Sequence, residues 1–198
     1  MKETSLTESI AVIGAGELGR RIAFAAARAG YRVILEDISP ERREQGIAEF
    51  ARWLAEEAAR EKRADSWRNL VLARLRTASS AEEACREADF ILETAADEEE
   101  MKLELFTLFD KFAKPGAILA TTAQSISIND LAGITFCPDR CVGLRFSPDA
   151  GDLTGVQIVK ARATSEETVR RCREFAHRLA LQLSIVEDAQ PKSMHAVD

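Results

Sequence analysis

Three glycines spaced as Gly-x-Gly-x-x-Gly lie between a short apolar run and a helix-like pattern near the start of the chain. They are Gly14, Gly16 and Gly19, with the apolar run at residues 10–13 and the helical pattern at residues 18–29. In a strand–turn–helix unit the first glycine permits a tight turn, the second lets backbone approach a phosphate, and the third lets helix and strand pack closely. The helix N-terminus adds unpaired N–H groups and the positive end of a dipole. The motif therefore predicts a phosphate-binding turn within a β–α–β unit.

Two acids close the second apolar run of the chain. The run covers residues 31–35, and Glu36 and Asp37 follow it. An acid about 20 residues beyond such a turn is placed to bind the ribose hydroxyls of a dinucleotide. Two adjacent carboxylates would repel the 2′-phosphate of NADP, so this pair predicts NAD as the ligand. Arg42 and Arg43 would admit NADP only by folding back toward the acids, and we expect both to extend into solvent from the next helix.

The composition favours one globular domain and restricts its partners. A chain of 198 residues with 46% hydrophobic content can bury one sizeable core. The net charge of −6 argues against a nucleic-acid partner, because backbone recognition needs clustered Lys and Arg. No apolar stretch reaches the roughly 20 residues that span a bilayer, and residues 1–9 lack the apolar core of a signal peptide. We therefore expect no membrane partner and a cytoplasmic location.

The four cysteines do not predict a disulfide scaffold, because they are few and scattered for a chain of this length. They are Cys85, Cys137, Cys141 and Cys172. The spacing of the middle two would suit a metal, but no histidine lies nearby, so we expect ordinary thiols and no metal site.

The rest of the chain alternates predicted strands with predicted helices. Residues 40 to about 78 repeat apolar side chains at three and four around a polar turn, which predicts an inserted helical hairpin at about residues 44–78. The alternation predicts an α/β fold of the Rossmann type, a doubly wound and mostly parallel sheet over residues 1–188 with a C-terminal tail at residues 189–198. Strands are expected at residues 89–92, 117–120, 141–146, 156–159 and 183–186, and helices at residues 97–112 and 164 to about 181.

Short phrases along almost the whole chain resemble the N-terminal domain of the L-3-hydroxyacyl-CoA dehydrogenases. The phrases are residues 12–16, 30–31, 37–39, 88–90, 102–106, 115–120, 125–131, 143–144 and 156–160. The resemblance implies NAD as cofactor, with Asp37 on the adenosine ribose and with Asp97 and Lys102 near the nicotinamide half. It also implies that the helical hairpin lies beside an acyl-CoA site. The implied cofactor residues are Gly14, Gly16, Glu17, Leu18, Gly19, Asp37, Ala95, Asp97, Lys102 and Thr122. Glu17 would repel a pyrophosphate if it pointed inward, and it is expected to point into solvent and to lower the affinity only slightly.

The resemblance breaks at the positions that carry the family's chemistry. The family histidine that takes the proton of the 3-hydroxyl is replaced by Arg145, the glutamate that orients this histidine by Gln157, and a serine that contacts the substrate by Gln124. Arginine stays protonated and has no lone pair to accept a proton. Loss of a positioned general base typically lowers the rate by about 10² to 10⁴. We therefore expect no intact catalytic set, and ordinary 3-hydroxyacyl-CoA oxidation that is impaired or absent.

Two interpretations of Arg145 remain open. Its guanidinium could anchor a carboxylate or phosphate through a bidentate contact. The favoured interpretation is a residual ion pair with Asp149 or Asp152, because surface ion pairs commonly carry no function. His177, on the polar side of its helix, and His195, in the tail, are not placed to replace the missing base.

Three functional hypotheses follow from this contrast. The first is an NAD-binding protein whose family chemistry is lost or altered. The second is an active NAD-dependent oxidoreductase on a 3-hydroxy acid or 3-hydroxyacyl-CoA, with Asp149 or Asp152 as the base. The third is an enzyme in two parts, in which a separate helical subunit supplies the family's second domain, which would begin near Pro191. An uncovered rim of the sheet would also favour a homodimer. The expected small-molecule partners are NAD and an acyl-CoA or small acid.

Overall fold

In this computed structural model, which describes residues 8–149 and 152–188, eight strands form one sheet with helices on both faces. The strands are β1 (Ser9–Ile13), β2 (Arg32–Glu36), β3 (Leu75–Thr77), β4 (Phe90–Glu93), β5 (Ile118–Thr121), β6 (Cys141–Asp149), β7 (Asp152–Lys160) and β8 (Gln182–Glu187). The helices are α1 (Glu17–Arg28), α2 (Pro40–Glu61), α3 (Asp65–Leu72), α4 (Ala81–Glu87), α5 (Glu99–Phe112), α6 (Ile128–Gly133) and α7 (Glu166–Arg178), and a 3-10 turn covers Pro138–Arg140.

The strand order creates a crevice at the centre of the sheet. The order is β3-β2-β1-β4-β5-β6-β7-β8, and neighbouring strands are parallel except β6 and β7, which are antiparallel. The chain moves outward in one direction from β1 and in the other direction from β4. Doubly wound sheets bind ligands beyond the carboxyl ends of the strands at such a switch point. The Rossmann-type, mostly parallel fold predicted from the sequence is confirmed.

Both faces of the sheet are buried, which explains the uninterrupted apolar run of β1. Ile10 and Val12 pack into one core layer with side chains of α1, α2 and α7. Ala11 and Ile13 pack into the opposite layer with side chains of α4, α5 and α6. A strand covered on both sides needs apolar residues at every position instead of alternate ones.

The predicted helical hairpin consists of two helices followed by an edge strand. Helix α2 begins at Pro40, where the side chain of Ser39 accepts a hydrogen bond from the N–H of Arg42 and caps the helix. The helices end at Leu72. The sequence pattern extended the hairpin to about residue 78, but residues 75–77 form β3, because they pair in parallel with β2.

The structure differs from the predicted secondary structure at three further places. Helix α6 was not predicted, because six residues are too few to show a helical period. Helix α7 was expected to reach about Leu181 and instead ends at Arg178, shortly before Ala180 takes a left-handed φ of 56°. A left-handed residue is a common way to end a helix. Strands β6 and β7 are longer than expected.

The predicted tail, residues 189–198 with Pro191 and His195, lies outside the described residues, as do residues 1–7. None of the helices in the described ranges is both long and apolar enough to cross a membrane. The Cys137 thiol donates to Oδ1 of Asp110 at 3.2 Å, and the four cysteines are free thiols.

Candidate functional site

The glycine turn joins β1 to α1, and its three glycines differ in what surrounds them. Gly14 has a φ of +112°, and a Cβ added there would lie 2.9 Å from backbone atoms of Thr94 and Ala95. A Cβ on Gly19 would lie 2.0 Å from the carbonyl oxygen of Gly14. A Cβ on Gly16 would meet no protein atom within 4 Å. The fold therefore requires Gly14 and Gly19, whereas the space at Gly16 is open and fits the approach of a phosphate to the backbone.

Thr94, the first residue after β4, fixes the turn from the opposite side of the crevice. Its hydroxyl lies 2.8 Å from the carbonyl oxygen of Gly14 and 3.1 Å from that of Ile13, and its N–H donates to Ile13 as well. Sequence reasoning missed Thr94. The sequence feature that could have identified Thr94 is a hydroxyl residue directly after the strand that borders the switch point.

Asp37 lies at the end of β2 with its carboxylate against the glycine turn. One carboxylate oxygen accepts a hydrogen bond from the N–H of Ala15 at 2.8 Å, and the other accepts from the N–H of Ser39 at 2.9 Å. Arg42 lies 3.8 Å from this carboxylate, and the guanidinium of Arg43 donates to the Asp37 carbonyl oxygen. The expectation that both arginines extend into solvent was therefore wrong for Arg43, whose guanidinium folds back to the carbonyl oxygen of Asp37, whereas the Arg42 side chain is 63% exposed as expected.

The residues on either side of Asp37 differ sharply in burial. Burial, and then the neighbouring carboxylate of Asp37, raise the pKa of Glu36 to about 7. The Ile38 side chain is 94% exposed, so a large apolar surface faces solvent beside the acid. This end of β2 thus combines a fixed carboxylate with an uncovered apolar side chain.

Glu17 and Leu18 begin α1 directly after the turn. The Glu17 side chain is 75% exposed and pairs with Arg21 at 2.8 Å, so it points into solvent as expected. The hydrogen bond from Arg21 lowers the pKa of Glu17 below its usual value. Leu18 packs its side chain against the core. What these two residues offer a ligand is the backbone of a helix N-terminus.

Lys102 lies inside the protein, in a network that the sequence did not reveal. Its ammonium nitrogen is 2.7 Å from a carboxylate oxygen of Glu93, and the side chains are 1% and 0% exposed. The same oxygen of Glu93 accepts a hydrogen bond from the Thr121 hydroxyl, and the other accepts from the N–H of Ala95. The resemblance implied a place for Lys102 near the nicotinamide, and that contact stays a prediction. The signal for this network was a glutamate at the end of an apolar strand, since a buried carboxylate needs a partner.

Asp97 joins the loop after β4 to the loop after β5. It was expected to open the helix, but α5 begins at Glu99. Its carboxylate accepts hydrogen bonds from the hydroxyl of Ser125 at 2.8 Å and from the N–H groups of Ser125 and Gln124. Desolvation acts to raise the pKa of Asp97, but the hydrogen bonds from Ser125 outweigh it and keep this pKa below its usual value. Thr122 begins the second loop, and its N–H donates to the carbonyl oxygen of Glu93 at 3.0 Å.

Arg145 and Gln157 face each other as register partners on β6 and β7. Nε of Arg145 donates to the carbonyl oxygen of Ala123 at 3.2 Å. Within the described residues, the guanidinium forms no ion pair with Asp149 or Asp152, so the favoured interpretation of Arg145 was wrong. The structure thus places Arg145, Gln157 and the Gln124 loop at the same end of the sheet as the glycine turn.

The fold and the glycine turn together define a dinucleotide-binding α/β domain with a crevice at the carboxyl ends of β1 and β4. The family model described as "3-hydroxyacyl-CoA dehydrogenase, NAD binding domain" matches residues 9–188. The chain therefore belongs to the 3-hydroxyacyl-CoA dehydrogenase family, as the NAD-binding domain, and NAD is the cofactor of this domain.

The chain is similar to several longer members of this family. It is 32% identical over 184 residues to the 3-hydroxybutyryl-CoA dehydrogenase of Bradyrhizobium diazoefficiens, covering 93% of this chain and 62% of that protein. It is 32% identical over 181 residues to the probable 3-hydroxybutyryl-CoA dehydrogenase of Bacillus subtilis, covering 91% and 63%. The crystal structure of 3-hydroxybutyryl-CoA dehydrogenase from Escherichia coli matches with a TM-score of 0.86 at 30% identity, covering 92% of this chain and 38% of that chain. The chain thus spans less than two thirds of the relatives it matches.

Proposed function

We propose that the chain binds NAD across the crevice between β1 and β4 and that it is impaired or inactive in ordinary 3-hydroxyacyl-CoA oxidation. The open space at Gly16 and the N-terminus of α1 would accept the pyrophosphate. The carboxylate of Asp37 would bind the adenosine ribose, and the exposed side chain of Ile38 would cover the adenine ring. When bound, NAD supplies a hydride acceptor.

The nicotinamide half would lie between the loops after β4 and β5. The residues assigned to it are Ala95, Asp97 and Thr122, and the hydrogen bonds from Ser125 to Asp97 fix these loops relative to each other. The role of Lys102 in this assignment is indirect, because its ammonium holds Glu93, which in turn accepts the N–H of Ala95.

The observation that carries the proposed loss of activity is the side chain at position 145. The family's reaction needs a group that accepts the proton of the 3-hydroxyl, and a guanidinium cannot accept one. The partner across the ladder is the neutral amide of Gln157. In the family a glutamate at this position orients the catalytic histidine. The amide of Gln157 would orient an imidazole less well and would not stabilise its protonated form, so the second position of the catalytic set is altered as well.

Calorimetry tests the proposed NAD binding, and a kinetic assay tests the proposed loss of activity. We expect saturable heat on titration with NAD, and an absence of binding at millimolar NAD would contradict the proposed NAD binding. With acetoacetyl-CoA and NADH, we expect the purified chain to turn over at least about 10²-fold more slowly than a full-length family enzyme assayed beside it. Conversion at a rate close to that of the control enzyme would contradict the proposed loss of activity.

A second candidate function is an active NAD-dependent oxidoreductase on a 3-hydroxy acid or 3-hydroxyacyl-CoA. Asp149 and Asp152 favour it, because they are exposed register partners at the end of the β6–β7 ladder and neither is paired with Arg145 in the described part of the chain. Reduction of NAD with a panel of 3-hydroxy acids and their CoA esters tests it. A silent panel would exclude this function for the chain alone.

A partner that supplies the helical domain of the longer relatives would be needed if the chain works as one part of an enzyme. The candidate for that part is a separate helical subunit. A homodimer is a separate prediction, because a rim of the sheet left uncovered would favour self-association. Light scattering at high protein concentration tests the homodimer, and a clean monomer would contradict it.

A further inference from the structure

Arg145 and Gln157 present their side chains on one face of the β6–β7 ladder. They are directly opposed in register, as are Gly143 and Val159 two residues away on each strand. Side chains two residues apart on a strand share a face, and opposed residues have Cβ atoms about 4.5–5.5 Å apart. A Cβ on Gly143 would lie 3.0 Å from the side chains of Ile128 and Val159. The shared face is therefore the one covered by α6, next to the loop after β5.

This pair projects beyond the end of the neighbouring strand. Thr121, the last residue of β5, pairs with Gly143, so Arg145 lies two residues farther along β6. Ala123, whose carbonyl oxygen accepts from Nε of Arg145, belongs to the loop that continues from β5. The position is thus at the carboxyl edge of the sheet, where ligands of such folds bind.

Among the described residues, most donors of this pair have no partner, and Arg145 is held in place by a single hydrogen bond. The hydrogen bond from Nε fixes the direction of the Arg145 guanidinium. The two terminal nitrogens of this guanidinium form no hydrogen bond or ion pair with the described residues. In those ranges the side-chain amide of Gln157 is also without a hydrogen bond. The guanidinium N–H groups of Arg145 and the amide N–H groups of Gln157 lie on one face of the sheet, and the guanidinium is held in place through Nε. Such an arrangement matches the two coplanar oxygens of a carboxylate. The neutral carbonyl of a thioester would gain much less from the positive charge.

We infer that Arg145 and Gln157 form a subsite for the carboxylate of a small oxo or hydroxy acid, beside the NAD cleft. The inference deepens the proposed function and rests on NAD binding there. It replaces the acyl thioester of the family's reaction with a free acid as the ligand of this end of the cleft.

Calorimetry on the NADH-saturated protein tests the inference, with acetoacetate as the probe. We expect saturable binding of acetoacetate, and no binding of its methyl ester, which lacks the charge. Arg145→Met should weaken acetoacetate binding about 10- to 100-fold, the range of a charge-assisted hydrogen-bonded contact. Arg145→Lys should retain part of the affinity, and Gln157→Met should lose less than Arg145→Met. Arg162→Met removes an exposed arginine outside this face and serves as the matched control, with affinity expected within about two-fold of the parent.

The outcomes separate this inference from the proposed function. If NADH binds and acetoacetate does not, or if Arg145→Met leaves acetoacetate affinity unchanged, the carboxylate subsite is wrong and NAD binding stands. If NADH does not bind, the proposed function fails, and acetoacetate titrated into the free protein then decides the subsite by the same comparison of variants. Circular dichroism of each variant confirms that it is folded.

Discussion

Two glycines of the same turn are needed for different reasons, and substitution by alanine should separate them. Gly16 has a φ of −66°, which alanine adopts freely, and its added Cβ would meet no protein atom. Gly16→Ala should therefore leave the melting temperature within about 2 °C while weakening NAD binding about ten-fold or more, because the methyl group enters the phosphate space. Gly19→Ala should destabilise the protein by about 1–3 kcal/mol or more, since its Cβ would lie 2.0 Å from the Gly14 carbonyl oxygen.

Thermal unfolding and calorimetry with NAD measure both effects. Gly133→Ala is the matched control, because a Cβ there meets nothing within 4 Å, and we expect no loss of stability or binding. Equal losses of NAD affinity in Gly16→Ala and Gly133→Ala would show that the space at Gly16 is not the phosphate site.

Glu36 should make the stability of the protein depend on pH. Its pKa rises from the ordinary value of 4.5 to about 7 in the folded protein, so folding favours the protonated carboxyl. The stabilisation is complete below about pH 4.5 and is lost as the pH rises through about 7. Glu36→Gln should therefore become more stable relative to the parent as the pH rises above about 4.5, and the gain should reach at most about 3 kcal/mol at pH 8. Urea unfolding of both proteins at pH 5 and pH 8 measures the difference, and a difference that does not change with pH would contradict this assignment.

At the scale of elements, the buried ion pair between α5 and β4 connects the core to the cofactor loop. Lys102→Met would leave the carboxylate of Glu93 without its counter-charge in a site that is 0% exposed, so we expect a loss of about 3–5 kcal/mol. Adding Glu93→Gln should restore much of that loss, because no buried charge then remains. Lys111→Met, an exposed lysine of the same helix, is the control and should change stability by less than about 0.5 kcal/mol.

Denaturant unfolding of the three variants measures these differences. If Lys102→Met were no more destabilising than Lys111→Met, the ion pair between Lys102 and Glu93 would not contribute to the free energy of unfolding. The double variant shows whether the cost comes from an unpaired charge or from lost packing.

Elements whose pattern is local were predictable from the sequence, and elements that depend on distant partners were not. The period of α1 and the apolar run of β1 are properties of a few consecutive residues. In contrast, β3 exists because residues 75–77 pair with β2, and a helical spacing carries no sign of that pairing. The same holds for side chains: the glycine turn was predictable, whereas the partner of Lys102 lies on a different element, β4, which only the fold places beside α5.

For the whole molecule, cofactor binding should appear as stability. A ligand at 100 times its Kd adds about 2.7 kcal/mol to the free energy of unfolding. For a domain of this size each kcal/mol raises the melting temperature by about 2–4 °C, so saturating NAD should raise it by about 5–10 °C. NADP should give a smaller shift, because its 2′-phosphate would approach the carboxylate of Asp37, which is held against the glycine turn by Ala15.

Two variants should move this selectivity in opposite directions, because two opposite charges meet at the end of β2. Asp37→Asn removes the negative charge. It should reduce the difference between the increases in melting temperature that NAD and NADP cause. Arg42 lies 3.8 Å from the Asp37 carboxylate and offsets part of its charge, so Arg42→Ala should widen the gap. Scanning calorimetry of the parent and both variants with each cofactor measures the six shifts in melting temperature. An equal shift with NAD and NADP in the parent would mean that Asp37 does not face the ribose, and the assignment of this end of the cleft would have to be abandoned.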